Sequence, residues 1–344
     1  MSNTWETPVA EELKMDAEIG SYQDDSDPVN DPVFVQTAST EELAAMRATV
    51  LGSAAGGGVP QWNCGCPICI EARRPGGRVA PRTQDSVVIH GRAPVLLNAS
   101  PDVLRQLEQT PALHPKAPRH APVSAIVLTN GDLDHVLGLF SLRESSPLVV
   151  YATARVQAGL EENAFLRTLR RFPEQLSFRE LVLDREEELR DAAGAPLDVR
   201  VTAFAVPGKL PVHLGALRPS PEDNVGLALS SAGRTLGYVT TAGAPGAYLD
   251  RLDALDLLLF DGTFFTDDEL PRQGLGKARA RDMAHWAIDG DDGSLAAFAA
   301  RPARRRVFTH INNSNPILVE GSPERERVLA AGFAIAHDGM ELEA

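Results

Sequence analysis

All three cysteines of this 344-residue chain, Cys64, Cys66 and Cys69, fall in one six-residue run. An odd number of thiols cannot pair fully, and C-x-C-x-x-C spacing lets three sulfurs converge on one tetrahedral zinc. Three ordinary loop thiols are the competing reading, but Gly65 and Pro67 between them are loop formers that suit a metal knuckle. A fourth ligand must then come from elsewhere in the chain. A second group of candidates sits at strand ends. The apolar run 125–129 exits into Asn130-Gly131-Asp132-Leu133-Asp134-His135, and late in the chain Val307-Phe308-Thr309-His310 repeats the order strand, Thr, His. One strand-end histidine is more often a hydrogen-bonded structural residue. Two similar strand ends, one with an adjacent carboxylate, point to a shared metal ion.

The elements that must position these residues are short. From Arg47 onward, apolar runs of strand length recur at 47–51, 86–90, 95–98, 124–129, 148–151, 199–206, 226–229, 236–240, 257–261, 306–310 and 334–336, most of them bounded by Gly, Pro, Asn or Asp. Helices are expected between them at 102–108, 138–143, 153–170, 247–252, 278–288, 295–300 and 323–331. Many strands with interspersed helices suggest two sheets packed face to face and covered by helices. The glycine run 56–58 lacks the Gly-Lys-Ser/Thr of a nucleotide site and leads into Pro60-Gln61-Trp62, so it is not read as a phosphate loop. Residues 1–45 differ from the rest. They are acidic and poor in large apolar side chains, so they are expected to form a disordered extension ahead of a domain spanning 46–344.

Charge and hydropathy exclude several functions. Acidic residues outnumber basic ones 47 to 33, for a net charge of −14, which disfavours nucleic acid and anionic membranes as partners. No apolar run reaches the ~20 residues of a membrane span, and the N-terminus lacks the order of a secretory signal. Clustered reduced cysteines agree with a cytoplasmic setting.

On residues 129–135 the chain resembles the metallo-β-lactamase superfamily, whose signature is Thr-His-x-His-x-Asp-His after a strand. Thr129, Asp134 and His135 match it, while Asn130 and Asp132 stand where two histidines belong. Lys209, after Pro207-Gly208, occupies the place of a further histidine, no carboxylate stands in 238–242 where a bridging aspartate belongs, and His310 matches the last ligand. The resemblance implies a loss of the first of two metal sites and retention of the second. Two imidazoles and a carboxylate with open positions opposite form the facial triad of non-haem Fe(II) oxygenases, which favours oxygen chemistry over hydrolysis by a shared water.

A closer resemblance covers nearly everything from Met46 onward. Residues 50–58, Pro60-Gln61-Trp62-Asn63-Cys64, Arg82-Thr83-Gln84, Asn98-Ala99-Ser100-Pro101-Asp102, Asp223-Asn224, Asp261-Gly262-Thr263-Phe264, Met283, His285, His310-Ile311-Asn312-Asn313, Asn315-Pro316-Ile317-Leu318 and Asp338-Gly339-Met340 look like the coenzyme PQQ synthesis B family. The resemblance implies an α/β fold, a metallo-β-lactamase-like αββα sandwich, with the cysteine zinc site and a role in making pyrroloquinoline quinone (PQQ). An older family label is a carrier of PQQ into the periplasm. In the tail, Trp5-x-x-Pro8 and Glu18-x-x-x-Tyr22 are similar to the PQQ precursor peptide. On a helix, Glu18 and Tyr22 would share one face and could be cross-linked.

The expected activity is Fe(II)-dependent hydroxylation of a tyrosine-derived PQQ intermediate, with O2 as co-substrate and the ion on Asp134, His135 and His310. Asp261 reaches the ion or its water, or else caps the Gly262-Thr263 turn. His285, expected on a helix, is a base or substrate contact, or a packed structural residue. Asn313 is the expected fourth neighbour of the cysteine zinc, with Asp102 or water as substitutes. Arg143 and Lys209 suit a substrate carrying several carboxylates. The remaining histidines have no partner pattern. Alternatives are a non-catalytic carrier and a metal-dependent hydrolase. Expected partners are the small PQQ intermediate built from Glu and Tyr, other pathway proteins through the N-terminal segment, and a second copy of the chain.

Overall fold

The computed structural model describes residues 45–344 apart from 145, 164–165, 173, 212–217 and 303. The expected N-terminal extension, with Glu18 and Tyr22, lies outside the described residues. Short apolar runs become strands wherever both faces can be covered. The first six are β1 (Arg47–Gly52), β2 (Ser86–His90), β3 (Pro94–Leu97), β4 (Ala125–Val127), β5 (Leu148–Ala152) and β6 (Leu176–Glu180). The next seven are β7 (Glu186–Arg190), β8 (Pro196–Ala205), β9 (Val225–Ser231), β10 (Arg234–Val239), β11 (Leu257–Asp261), β12 (Arg305–Thr309) and β13 (Phe333–Ile335). The last strand, β14 (Met340–Glu343), returns to pair with β1. The two sheets run β14-β1-β2-β3-β4-β5-β6 and β13-β12-β11-β10-β9-β8-β7.

Alternation along the strands builds three apolar layers. Val87 and Ile89 of β2, Val95 and Leu97 of β3, and Leu257 and Leu259 of β11 point into the core between the sheets. Their neighbours point outward: Val88 and Leu96 to one outer layer, Leu258 and Phe260 to the other. Helix α1 (Pro67–Ala72) starts inside the cysteine run. The outer face of the first sheet is covered by α2 (Val103–Gln109), α3 (Leu133–Val136), α4 (Ala154–Glu161) and α5 (Leu166–Leu169). The remaining helices are α6 (Tyr248–Leu252), α7 (Glu269–Gln273), α8 (Ser294–Ala299) and α9 (Pro323–Ala330), and of these α6, α8 and α9 join α1 over the second sheet. The arrangement is the expected αββα sandwich. Among the described residues no helix is long and apolar enough to cross a membrane.

Several local expectations need correction. Strands β6, β7 and β14 were absent from the sequence reading. They lie at or near sheet edges and carry charged, partly exposed side chains, so the apolar signal is missing. The single helix expected over 153–170 is two, Ala154–Glu161 and Leu166–Leu169. The helix expected over 138–143 starts earlier: Asp134 and His135 lie on the turn α3, and a 3-10 segment, Leu137–Ser141, follows. No helix forms over 278–288. Only a 3-10 turn, Arg281–Met283, is present, ended by Ala284 in the left-handed region (φ 63), so His285 stands on a loop.

The parallel pairs β3–β4–β5 and β10–β11–β12 send their C-terminal ends to one edge of the sandwich, the usual place for a site in an α/β sheet. Behind that edge the segment after His310 is braced by a buried carboxylate. Glu269 accepts the Phe265 N–H (2.7 Å) and the hydroxyl of Ser314. Burial pushes Glu269 up to about 7 from an ordinary 4.5. A folded pKa above the unfolded one gives stability that is fully present below about pH 4.5 and lost as the pH rises through about 7. Glu269→Gln is expected to flatten the pH dependence of the melting temperature between about pH 5 and pH 8, and to be more stable than the parent by roughly 2 kcal/mol at the alkaline end. Parallel melting profiles for the two proteins would contradict this.

Candidate metal centre

The site is assembled from two strand ends belonging to different sheets. Past β4, Thr129 is held by Asn98, whose Oδ1 accepts the Thr129 N–H (3.0 Å) and hydroxyl (3.1 Å). Asn130 then turns the chain, its Oδ1 accepting the Asp132 N–H (3.0 Å), and the single turn α3 presents Asp134 and His135 together. Asp134 is approached closely by Gly56: a Cβ there would lie 3.3 Å from Asp134 Oδ2. On the other sheet, β12 ends at Thr309 and His310 adopts a left-handed backbone, φ 55. That conformation costs an L-residue on the order of 1–2 kcal/mol, so the surroundings must impose it.

Hydrogen bonds fix which imidazole nitrogen faces the centre. His135 Nδ1 lies 2.7 Å from Asn130 Oδ1, an acceptor, so Nδ1 carries the proton. The other nitrogen, Nε2, is buried and has no hydrogen-bond partner. In His310, Nδ1 lies 2.9 Å from Thr263 Oγ1, whose own proton goes to Asp261 Oδ1 at 2.6 Å. His310 Nε2 is thereby turned to Asp134 Oδ2, 3.2 Å away, and His135 Nε2 lies 3.8 Å from the same oxygen. The ligand atoms of Asp134, His135 and His310 all lie within 4.8 Å of one another. A desolvated lone pair beside a carboxylate and a second imidazole is the donor set of a divalent cation, and the three residues fit one.

Electrostatics agree. Burial holds His135 below its ordinary pKa, in the neutral form that ligates. Burial also opposes the charges of Asp134 and His310, but their mutual attraction wins: His310 is pushed up to about 9, and Asp134, drawn down by His135 and His310, lies well below the usual carboxylate range. Without an ion the pair is held by a proton, which a cation would displace.

Asp261 and His285 form a dyad beside this centre. Asp261 is fully buried, and its two oxygens accept the Thr263 N–H (3.0 Å) and hydroxyl, the Ala242 N–H (2.8 Å) and the Nδ1–H of His285 (2.8 Å). The carboxylate thus caps the Gly262-Thr263 turn, and it also lies with His285 and His310 in a group whose ligand atoms are all within 4.8 Å of one another, so both expected roles keep their geometry. It is drawn well down by His285 despite its burial. The imidazole of His285 stacks on that of His310, centroids 5.4 Å apart at 27°, with Nε2 left over.

The cysteines converge at a separate point. Cys64 Sγ accepts the Cys66 N–H and Cys66 Sγ accepts the Cys69 N–H, both at 3.4 Å, and Pro67 opens α1 at its first turn. The Asn313 amide lies 3.3 Å from the sulfurs of Cys64 and Cys69 and 3.9 Å from Cys66. Turned over, that amide would offer Oδ1 at the same place. Burial pushes the Cys66 thiol up to about 11, and a soft cation is what would let three thiolates sit so close together. Asp102 is engaged elsewhere, accepting the N–H and side-chain amide of Gln84.

Arg143 and Lys209 are both exposed, and neither hydrogen-bonds a residue of the cluster. Lys209 follows Gly208, where a Cβ would lie 2.6 Å from Asn224, and Asn224 in turn accepts the Asn130 side chain at 3.2 Å. Its backbone is thus at the rim of the centre. From sequence, Asn98 and Thr263 enter only within the motifs of the family resemblance, with no role of their own, and Asp85 does not enter at all. For Asp85 there was a signal: a carboxylate directly before the apolar strand β2 needs a buried purpose.

Comparisons with known proteins place these features. Residues 94–311 match the β-lactamase superfamily domain. A protein of Methylobacterium sp. (strain 4-46) called coenzyme PQQ synthesis protein B is 45% identical over 305 residues, 86% of this chain and 99% of its own. The crystal structure of Zn(2+)-bound PqqB from Methylobacterium extorquens is 40% identical, covers 87% of this chain and 100% of its own, and superposes with a TM-score of 0.80. A diphosphatase of the PhnP family, 23% identical with a TM-score of 0.61 over 87% of this chain and 97% of its own, shares the fold. If both centres hold metal, Asp134→Ala or His310→Ala should lower the content of purified protein by one ion per chain by elemental analysis, and Cys69→Ser should remove a different one. Unchanged content in the first two variants would remove the case for the centre.

Proposed function

Since the chain belongs to the coenzyme PQQ synthesis protein B family of the β-lactamase superfamily and works in PQQ biosynthesis, we propose that it hydroxylates a tyrosine-derived precursor of that cofactor, with Fe(II) on Asp134, His135 and His310. The observation that supports this most is the donor count. Two imidazoles and one carboxylate converge, whereas Asn130 is spent on His135 and Asp132, and the adjoining group of Asp261, His285 and His310 shares its His310 with this set, so the two together have only three imidazoles and two carboxylates. When bound, such an ion supplies the one-electron chemistry that lets dioxygen react with an aromatic ring.

The chain's own residues do the rest. Asp261 anchors Nδ1–H of His285, so the dyad keeps Nε2 as a proton acceptor for the phenol or the ring C–H. Arg143 and Lys209 would receive substrate carboxylates at the rim. The stoichiometry closes without an outside reductant: phenol plus O2 gives ortho-quinone plus water, the ring giving up the electrons that reduce the second oxygen atom. Iron-loaded protein given a Glu-Tyr-derived diamino acid is expected to take up O2 and to yield a product of quinone mass. His135→Ala and His310→Ala should lower the rate by at least ~10³-fold, the scale of losing a residue from a catalytic unit. Ester or peptide cleavage without O2 uptake would refute the assignment, and tight binding without turnover, untouched by either variant, would make the protein a carrier.

We further propose that the N-terminal segment is the peptide precursor itself, with Glu18 and Tyr22 as the residues joined. Besides the spacing, the length of the chain supports this: 305 aligned residues take in 99% of the Methylobacterium relative, and this chain has 344. Intact-mass and fragment spectra of the protein from its native host should show the segment released, or lighter by two hydrogens across Glu18 and Tyr22. A full-length, unmodified chain in cells making PQQ would exclude a precursor role.

A further inference from the structure

Asp85, at the entry to β2, is completely buried. Its two oxygens accept hydroxyls from opposite directions, Oδ2 from Tyr238 of β10 and Oδ1 from Thr309 of β12. No arginine or lysine pairs with it among the described residues. Each hydroxyl leads toward the metal centre. Thr309 is the residue before His310. Tyr238 accepts the Asn98 side-chain amide (3.3 Å), Asn98 Oδ1 accepts the Thr129 N–H and hydroxyl, and Thr129 Oγ1 lies 3.3 Å from His135 Nδ1. The carboxylate thus stands behind both imidazole ligands, touching neither. The charged or chargeable groups that act on it are His310, His135 and the Tyr238 phenol; burial raises its pKa and the imidazoles and hydroxyls oppose the rise.

Two neutral hydroxyls are poor compensation for an interior anion, which normally persists only beside a cation. Asp134 neutralises one charge of a divalent ion, and Asp261 has its own charge shared among four donors, including His285. One positive charge is left over, and Asp85 is the buried anion aligned with both ligand histidines. We propose that Asp85 is a positioning residue that acts as counter-charge to the ion held by Asp134, His135 and His310, raising its affinity from outside the coordination shell. The inference rests on the metal-centre reading above and extends it to a residue that binds nothing directly.

A counter-charge and a mere hydrogen-bonding brace differ in what neutralisation does. For a brace, removing the carboxylate weakens the fold with or without the ion. For a counter-charge, the metal-free protein loses a desolvated anion and is not weakened, while the loaded state loses attraction. The test uses full-length protein with zinc already in the cysteine site, titrated anaerobically with Fe(II) against a chromogenic chelator, and melted with and without Fe(II). Asp85→Asn and Asp85→Ser are expected to bind Fe(II) about 10-fold more weakly, the low end of the loss for a partner that touches a ligand histidine directly, with melting temperatures in the absence of Fe(II) no lower than the parent's. Tyr238→Phe, which keeps the charge and loses the phenol's two hydrogen bonds, to Asp85 and from Asn98, should melt lower yet keep its Fe(II) affinity within about 3-fold. Unchanged affinity in both neutral variants overturns the proposal, as does equal weakening in Tyr238→Phe. Failure of both neutral variants to fold without Fe(II) overturns it too, because it would show the carboxylate to be a structural necessity. A parent protein that takes up no Fe(II) beyond the zinc would instead remove the metal-centre reading itself.

Discussion

The lone pair on His135 Nε2 is buried and has no hydrogen-bond partner, and the site is organised around that fact. A desolvated acceptor is costly unless something satisfies it. The protein has instead spent its donors and acceptors on the other side of the ring: Asn130 takes the Nδ1 proton, and Thr129 and Asn98 hold Asn130's neighbours in place. The same division holds for His310, where Thr263 claims Nδ1 and leaves Nε2 facing Asp134. Two imidazoles with outer nitrogens tied down and inner nitrogens turned to one carboxylate cannot arise from either strand alone. They need the two sheets to meet face to face at the distance set by the apolar core between them.

The sandwich was legible because most of its strands bury both faces. Runs such as 86–90, 148–151 and 257–261 are apolar at nearly every position, and each lies within a residue or two of the strand observed. Three of the four edge strands, β6, β7 and β14, escaped, since stretches such as Glu186-Glu187-Glu188 and Met340-Glu341-Leu342-Glu343 resemble solvated chain until a partner supplies the ladder. The loop around His285 escaped for a different reason. Helix-forming residues fill 278–288, but Asp267 accepts the backbone and side chain of Arg281, and the chain turns back at Ala284. That tertiary contact overrides local propensity.

For the site, residue types and strand-end positions were enough to single out Asp134, His135, His310 and the cysteines, all of which the fold brings into their two groups. What pattern could not convey is the use of each lone pair. From sequence, Asp261 reads equally as a neighbour of the ion or as a cap of the Gly262-Thr263 turn. Only the folded chain shows the four donors that converge on it and the two imidazoles beside it. Asn98 and Asp85 belong to the same category: polar residues flanking strands, whose roles depend on partners more than thirty positions away.

Asn313 stands three positions after His310, so one short segment touches both candidate metal positions. Its backbone is pinned between them, with Asn315 donating to the carbonyls of Gly262 and Thr263 and Ser314 donating to Glu269. Sulfur chemistry at the helix α1 end and nitrogen chemistry at the strand end therefore share a tether. Oxidation of the thiols, which would leave them unable to hold a soft cation, would slacken the anchorage of an imidazole in the neighbouring cluster, giving the molecule a route by which redox damage at one place is felt as disarray at another.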